Sequence, residues 1–366
     1  MEALRGSIIS DIARGIHDRQ RGQRYMEQVD LRRYKVTGIL GFGADYEVRA
    51  AIERETGKQV VLKRPEPQMV QRQLHASIEA RTDRVVQMYQ EVGHTIPTLA
   101  PLLGYSERAN HDAYFGDALG QAYRVIVADR AVGIPLVGET RARFTGVPIG
   151  VGQHLFALFP LLQVEDHPPF TIHEQLLEVE EQCFQAGYIL LDLRPQNVFY
   201  QPLSGRISVI DCGALIDRHS AADSGRKTAP DLHDFYLEML KFYTTPQRPP
   251  LQARGYRDPY GFRSAGSFAQ DLDTMTRQCQ TAPDAAVQAA ARTVISQVRR
   301  RAYTDFAAFR GDLLAYLETV RAYQQSLPDL AAARHAWAEA LAWLRDPYWQ
   351  RYLFHPEIEL ARVACF

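Results

Sequence analysis

The stretch GYILLDLRPQNVFYQPLSGRISVIDCGAL, residues 187–215, constrains the chain more than any other, because it sets Asp192, Asn197 and Asp211 against runs as apolar as YILL, NVF and ISVI. A carboxylate beside a buried strand costs free energy unless a charge or a hydrogen bond meets it. NVFY and ISVI flank the turn PLSGR, so they predict an antiparallel hairpin. In such a hairpin the loop before the first strand lies beside the end of the second. That brings Asn197 and Asp211 to one mouth. An oxygen pair of this kind suits Mg2+, which proteins hold with one or two side chains while phosphates and waters complete the shell. Asp192, five residues before Asn197 in a loop containing Pro195, is then placed to orient a hydroxyl and accept its proton.

Upstream the pattern is different. YKVTGIL, YEVRAAI and QVVLK, within residues 34–63, alternate apolar and polar positions, with the turn signals GFGAD and ETGK between them. They predict a three-strand meander. A glycine-bearing turn lets backbone N–H groups approach a phosphate, because no Cβ stands in the way. Lys63 ends the strand VVLK and is one of only five lysines in the chain, so an anion is its expected partner. A long helix is expected over about 67–92, followed by strands in LAPLLGYS and AYRVIVADR. From about residue 170 the apolar spacing turns helical, with Thr171 and Glu174 as a capping box and Gly187 at the helix end. After residue 231 helices are expected in DLHDFYLEMLKFY, SFAQDLDTMTRQ, PDAAVQAAARTVISQVRRR, DFAAFRGDLLAYLETVRAY and LAAARHAWAEALAWL.

Taken together these segments resemble the protein kinase superfamily. GFGADYEV resembles its G-x-G-x-x-G-x-V loop, VVLK its lysine strand, LLDLRPQN its H-R-D-L-K-P-E-N loop and DCG its D-F-G, in the same order and at matching spacing. The resemblance covers roughly residues 34–322. It implies an α+β, two-lobed protein-kinase-like fold, with a small β-rich N-lobe carrying one main helix and a larger, mostly helical C-lobe. The expected domains are a helical arm at 1–33 (apolar at Leu4, Ile8, Ile9, Ile12 and Ile16), the N-lobe at 34–130, the C-lobe at 131–322 and a helical extension at 323–366.

The resemblance also implies roles. Lys63 would hold the α- and β-phosphates of ATP, steadied by Glu79, with Glu91 as the alternative. Gly41 and Gly43 would cover the phosphates. Val48 and Val61 would complete the nucleotide-binding set, and Ala128, Asp129 and Arg130 lie where the hinge backbone meets adenine. Asp192 would be the catalytic base, and Asn197 and Asp211 would ligate Mg2+. Arg194 stands where Ser/Thr kinases carry lysine. The implied activity is ATP- and Mg2+-dependent phosphoryl transfer to a protein Ser/Thr hydroxyl, which needs positioning and charge neutralisation more than covalent chemistry.

The departures set the alternatives. Tyr46 replaces the third loop glycine, Leu190 and Leu191 replace the His and Arg of the catalytic loop, and Cys212 replaces the Phe of D-F-G. Without that arginine, activation by a phosphate between 214 and 230 is not expected. These replacements motivate a pseudokinase or scaffold, with the arm and the tail as surfaces for a regulatory protein. The short segment before APD at 229–231, together with the insertion-like stretch 134–170, motivates a small-alcohol kinase resembling aminoglycoside and choline kinases. In the helix that follows, Asp231 or Asp234 is the expected buried anchor.

The remaining features narrow the class. Lys+Arg 42 against Asp+Glu 43 leaves no basic excess for a nucleic-acid partner. The four cysteines show no CxxC spacing, and the longest apolar run, FALFPLL, is too short to span a bilayer. A cytoplasmic protein without a membrane partner is expected.

Overall fold

The computed structural model describes residues 26–43, 45–131, 134–136, 170–201, 204–218, 231–244 and 266–328. The chain divides into two compact units, Met1–His94 with Pro101–Asp129, and Thr95–Ala100 with Arg130–Phe366. The short return of residues 95–100 to the second unit has a local cause. Val209 N–H donates to Thr98 O at 2.8 Å, and Ala100 N–H donates to Val209 O at 2.9 Å.

The first unit is built on a six-stranded sheet. Its strands are β1 (Glu27–Gln28), β2 (Tyr34–Phe42), β3 (Tyr46–Glu53), β4 (Gln59–Pro65), β5 (Leu102–Tyr105) and β8 (Ile126–Asp129), in the spatial order β1-β5-β8-β4-β3-β2. The meander β2–β4 is antiparallel throughout, as the alternation predicts. The end of the expected arm is not helical: β1 pairs in parallel with β5, and a 3-10 turn at Leu31–Arg33 follows, capped by the Asp30 side chain. Residues 1–25 of the arm lie outside the described residues.

The helix expected over 67–92 is two helices, α1 (Pro67–Gln71) and α2 (Ala76–Glu91). The break falls where Gln73 takes a left-handed φ of 57°, a conformation that no helix interior accepts. α2 is the main helix of this unit.

Successive residues of β4 point to opposite faces of the sheet, so Lys63 and Arg64 do. On the Arg64 face lies a small roof made of β6 (Ala109–Asn110), α3 (Asp112–Phe115) and β7 (Ala122–Tyr123). Tyr114, Phe115 and Leu119 of this segment pack on a buried cluster that includes Val29, Leu31, Tyr34, Val60, Leu62, Val125 and Val127. Arg64, 1% exposed, lies under the roof with Glu47, 2% exposed, which its Nε meets at 2.5 Å. Its Nη1 donates to Tyr123 Oη at 2.9 Å and also bonds Asp117, and its guanidinium stacks 4.0 Å from the Phe115 ring centroid.

The second unit is mostly helical. It comprises β9 (Ile134–Pro135), α4 (Thr171–Gln185), β10 (Tyr188–Ile189), β11 (Val198–Gln201), β12 (Arg206–Val209), β13 (Ile216–Asp217), α5 (Leu232–Tyr243), α6 (Phe268–Cys279), α7 (Ala285–Arg299) and α8 (Phe306–Gln325). Four of the five predicted C-terminal helices are therefore present, and LAAARHAWAEALAWL lies outside the described residues. α5 is buried nearly all round, only Asp234 and Glu238 among its residues being less than fully buried. Such a helix belongs in the centre of a core. Tyr236 of α5 stacks on Phe309 of α8 at 3.9 Å between ring centroids.

The expected capping box of α4 does not form. Thr171 is already the first helical residue, Phe170 with φ 66° takes the cap position, and Glu174 pairs with Arg310 instead. Gly187 does close α4 as expected, at φ 93°. Among the described residues no helix is long and apolar enough to cross a membrane.

Candidate functional site

In the first unit the register lines the expected residues up across the sheet. Gly41 of β2 faces Val48 of β3, and Val48 faces Lys63 of β4. Val61, two residues before Lys63, faces Ala128 of β8. The turn between β2 and β3 is closed by Gly43 N–H donating to Tyr46 O at 2.7 Å. A Cβ built at Gly41 would meet nothing within 4 Å, so the backbone there borders open space. That is the room backbone approach to a phosphate requires. Asp129 pairs with Lys58 at 2.8 Å, and its N–H donates to Pro101 O at 2.8 Å. Arg130 is the next residue and opens the longer segment of the second unit.

Lys63 and Glu79 are not brought together through Glu79's contacts in this structure. Glu79, 6% exposed on α2, meets Arg108 Nε at 2.9 Å and accepts the Arg124 amide at 3.2 Å on both oxygens. Burial holds its carboxyl above the usual range against those donors. Glu91, the alternative, ends α2 in an exposed position and accepts from Gln87 Nε2 at 2.9 Å. Lys63 Nζ lies 4.2 Å from the centroid of the Tyr46 ring. The cation that reaches Glu79 comes from position 108, beyond any helical spacing.

In the second unit the predicted hairpin is present, with Val198 facing Val209 and Gln201 facing Arg206. The ladder runs on by one bond, Ile210 N–H donating to Asn197 O at 2.9 Å, so Asn197 lies against the residue that precedes Asp211. Asn197 Nδ2 donates to Asp192 O at 3.0 Å, which ties the two loop residues together. Asp211 is exposed, and its Oδ1 accepts Gly213 N–H at 3.3 Å. Asp192 and Asp211 both hold left-handed backbone, φ 65° and 63°, two of the five non-glycine residues that do so among those described. Such conformations persist where surrounding contacts impose them.

Those contacts come from beneath the loop, and sequence reasoning missed them. Glu238 of α5 accepts Asp192 N–H at 3.1 Å and Leu193 N–H at 3.0 Å. Tyr243 Oη donates to Leu193 O at 2.6 Å. Glu180 of α4, fully buried, accepts Leu190 N–H at 3.2 and 3.0 Å. Desolvation raises both carboxyls: Glu238 is pushed up to about 7, and Glu180 goes well above its ordinary value. Leu190, Leu191 and Leu193 fill the core beneath, and Cys212 is buried as a spacer.

The anchor is thus Glu238, and neither Asp231 nor Asp234. Those two form the capping box of α5, each side chain bonding the other's backbone N–H. Asp231→Ala should accordingly cost only about 1 kcal/mol, the usual worth of a cap, measured by denaturant unfolding. Among the described residues no group of three or more His, Cys, Asp or Glu is arranged to hold a metal ion. The oxygen donors near the hairpin mouth are Asn197 and Asp211, a pair of the type that Mg2+ takes when phosphate and water complete its shell. Arg194 Nε lies 2.6 Å from Asp192 Oδ1, so the expected base has a cation beside it.

No family model matches the sequence, and no curated protein does. Among solved structures, the chain is similar to the crystal structure of the Mycobacterium tuberculosis PknI kinase domain. The TM-score is 0.45 at 16% identity, and the alignment covers 79% of this chain and 98% of that one.

Proposed function

We propose that the chain is an ATP- and Mg2+-dependent phosphotransferase whose acceptor is a protein Ser/Thr hydroxyl. The observation that carries this reading is the β11–β12 hairpin, which sets Asn197 beside Ile210 and Asp211 while Asn197 fastens the Asp192 carbonyl. Three oxygen-bearing residues are thereby supplied by one short substructure. Lys63 would meet the α- and β-phosphates, with Gly41 and Gly43 leaving the backbone open to them and Val48 and Val61 flanking the base. The backbone of Ala128, Asp129 and Arg130 would meet adenine. Asn197 and Asp211 would hold Mg2+, which when bound neutralises charge on the transferring phosphoryl group. Asp192 orients the acceptor hydroxyl and takes its proton at Oδ, while Arg194 holds that carboxylate in place.

Calorimetric titration of ATP, with and without Mg2+, tests this on the wild type and on Asp211→Asn. We expect Mg2+-dependent binding that weakens by about tenfold or more in the variant, the effect of losing one charged ligand worth about 1.4 kcal/mol. Binding indifferent to both metal and substitution would sink the reading.

The ion pair between Arg194 and Asp192 favours a second reading, a nucleotide-binding scaffold without turnover. ADP release in the presence of protein and small-alcohol acceptors separates the two. Release with neither acceptor above the background of Asp192→Asn supports the scaffold. Release with aminoglycosides or other small alcohols alone moves the acceptor to that class.

A further inference from the structure

The residue that takes the place of the third loop glycine is itself positioned to act. Tyr46 is 6% exposed, at the start of β3, with Lys63 Nζ 4.2 Å from its ring centroid. Its hydroxyl shares a 2.8 Å hydrogen bond with Thr82 Oγ1 on α2 and lies 3.4 Å from Ile78 O. Thr82 Oγ1 donates to Ile78 O at 2.9 Å, so the phenol proton goes to Thr82. Thr82 and Ile78 are 1% and 0% exposed, which makes the far end of this connection part of the core. Glu79, the neighbouring residue on the same helix, is occupied by Arg108 and the Arg124 amide.

From these contacts we infer that Tyr46 is a positioning residue for Lys63: its ring face seats the ammonium, and its hydroxyl fastens that seat to α2. This deepens the phosphotransferase reading and rests on it. A cation over an aromatic face is attracted by the ring quadrupole, and the attraction leaves N–H donors of the ammonium pointing away from the ring, toward an anion. The ring takes up no N–H donor, so this contact costs Lys63 rotamer freedom before the ligand arrives without occupying a donor that a phosphate would use. Tyr46 in this role connects β4 to α2, the two elements that a lysine–glutamate pair would otherwise connect.

The test has two arms, on the full chain. In the first, NMR of 13C-lysine-labelled protein resolves the ε-CH2 groups, only five in number, assigned by Lys→Arg substitution. Lys63 should be shifted upfield by the ring current, should return to the ordinary position in Tyr46→Leu, and should stay shifted in Tyr46→Phe. An unshifted Lys63 in the wild type overturns the seat. In the second arm, Mg·ATP affinity is measured for Tyr46→Leu, Lys63→Met and the double variant, with thermal midpoints as a check on folding. Tyr46→Leu should weaken binding about fivefold to tenfold, the worth of a partly desolvated cation–π contact. Tyr46→Phe should recover most of that loss, and Tyr46→Leu should add nothing once Lys63 is Met.

Additive losses, or tighter binding in Tyr46→Leu, would overturn the positioning role, the latter by showing that the ring competes with nucleotide. Lys63→Met that binds ATP as the wild type does would instead overturn the phosphotransferase reading, and the role in binding with it. The NMR arm would then still decide the seat by itself.

Discussion

Glu238→Ala is expected to destabilise the chain by about 3–5 kcal/mol and, on the proposed phosphotransferase function, to abolish turnover. The side chain accepts the amides of Asp192 and Leu193, and each amide left without a partner costs about 1–3 kcal/mol. The effect on activity follows from the backbone: Asp192 holds φ 65°, and those two bonds, together with Tyr243 on the Leu193 carbonyl, oppose its relaxation. Glu238→Gln separates charge from shape, since it keeps one acceptor and turns an NH2 toward the second amide.

The wild type should also show a pH signature that both variants lack. Desolvation, the largest cause, raises Glu238 from 4.5 to about 7; the like charge of Asp192 acts in the same direction, and the two amides and Lys241 oppose it. Glu180 and the Tyr243 phenol also face this region, and both are raised by burial. A carboxyl whose pKa rises on folding holds its proton more tightly in the folded chain. Its contribution is therefore fully present below pH 4.5 and is lost as pH climbs through 7, by on the order of 3 kcal/mol at 1.36 kcal/mol per unit. Urea unfolding at pH 5, 6, 7 and 8 measures it. A slope identical in wild type and Glu238→Gln would assign the pH dependence elsewhere, with Glu180 the next candidate.

Glu47→Gln should be nearly as damaging, at about 3–5 kcal/mol, the range for breaking a buried ion pair from one side. Under the roof of the first unit Glu47 serves two guanidinium groups, Arg64 Nε at 2.5 Å and Arg49 Nε at 3.0 Å. Arg64 Nη2 already has no hydrogen-bond partner among the described residues, so the network has little to offer in compensation. With Glu47 neutral, Asp117 alone would face two cations in a poorly solvated site. Replacing both ends of the main pair, Glu47→Leu with Arg64→Met, should recover much of the loss, because it removes the buried charges along with their attraction. Chemical denaturation of the single and double variants measures the coupling. Losses that simply add would show that the pair contributes no more than packing.

Much of this was legible along the chain, and the rest was not for identifiable reasons. The hairpin at 198–209 and the row Gly41–Val48–Lys63 follow from alternation and turn chemistry, which are local. The helices after 231 follow from spacing, and their caps from Asp231, Ser267, Asp284 and Asp305. Thr171 shows the limit of a cap motif: the chain entered the helix one residue earlier than the motif suggests. The roof over Arg64 was not legible: β6 has only two residues, too few to produce a period, and β7 lies inside AYRVIVADR, expected as one strand but divided in the structure between β7 and β8. Glu238 had a signal that went unread. An acid inside DFYLEMLKFY, a run apolar on every side, must face either solvent or donors, and in a helix buried all round only donors remain.

The opposed faces of β4 have a consequence for how the first unit finds its fold. Lys63 and Arg64 are adjacent cations, and a slip of β4 by one residue would exchange them: arginine toward the open glycine turn, lysine into the dry layer under Phe115. The apolar residues of the strand alone resist this weakly, since QVVL offers a hydrophobe to either side. Glu47 stands directly across from Arg64 in the pairing of β3 with β4. A misthreaded strand would leave that acid facing the shorter, more hydrated ammonium, or nothing. The buried pair thus works as a key for strand threading, and a chain lacking it would be expected to populate a folded form with the wrong cation beside the glycine turn.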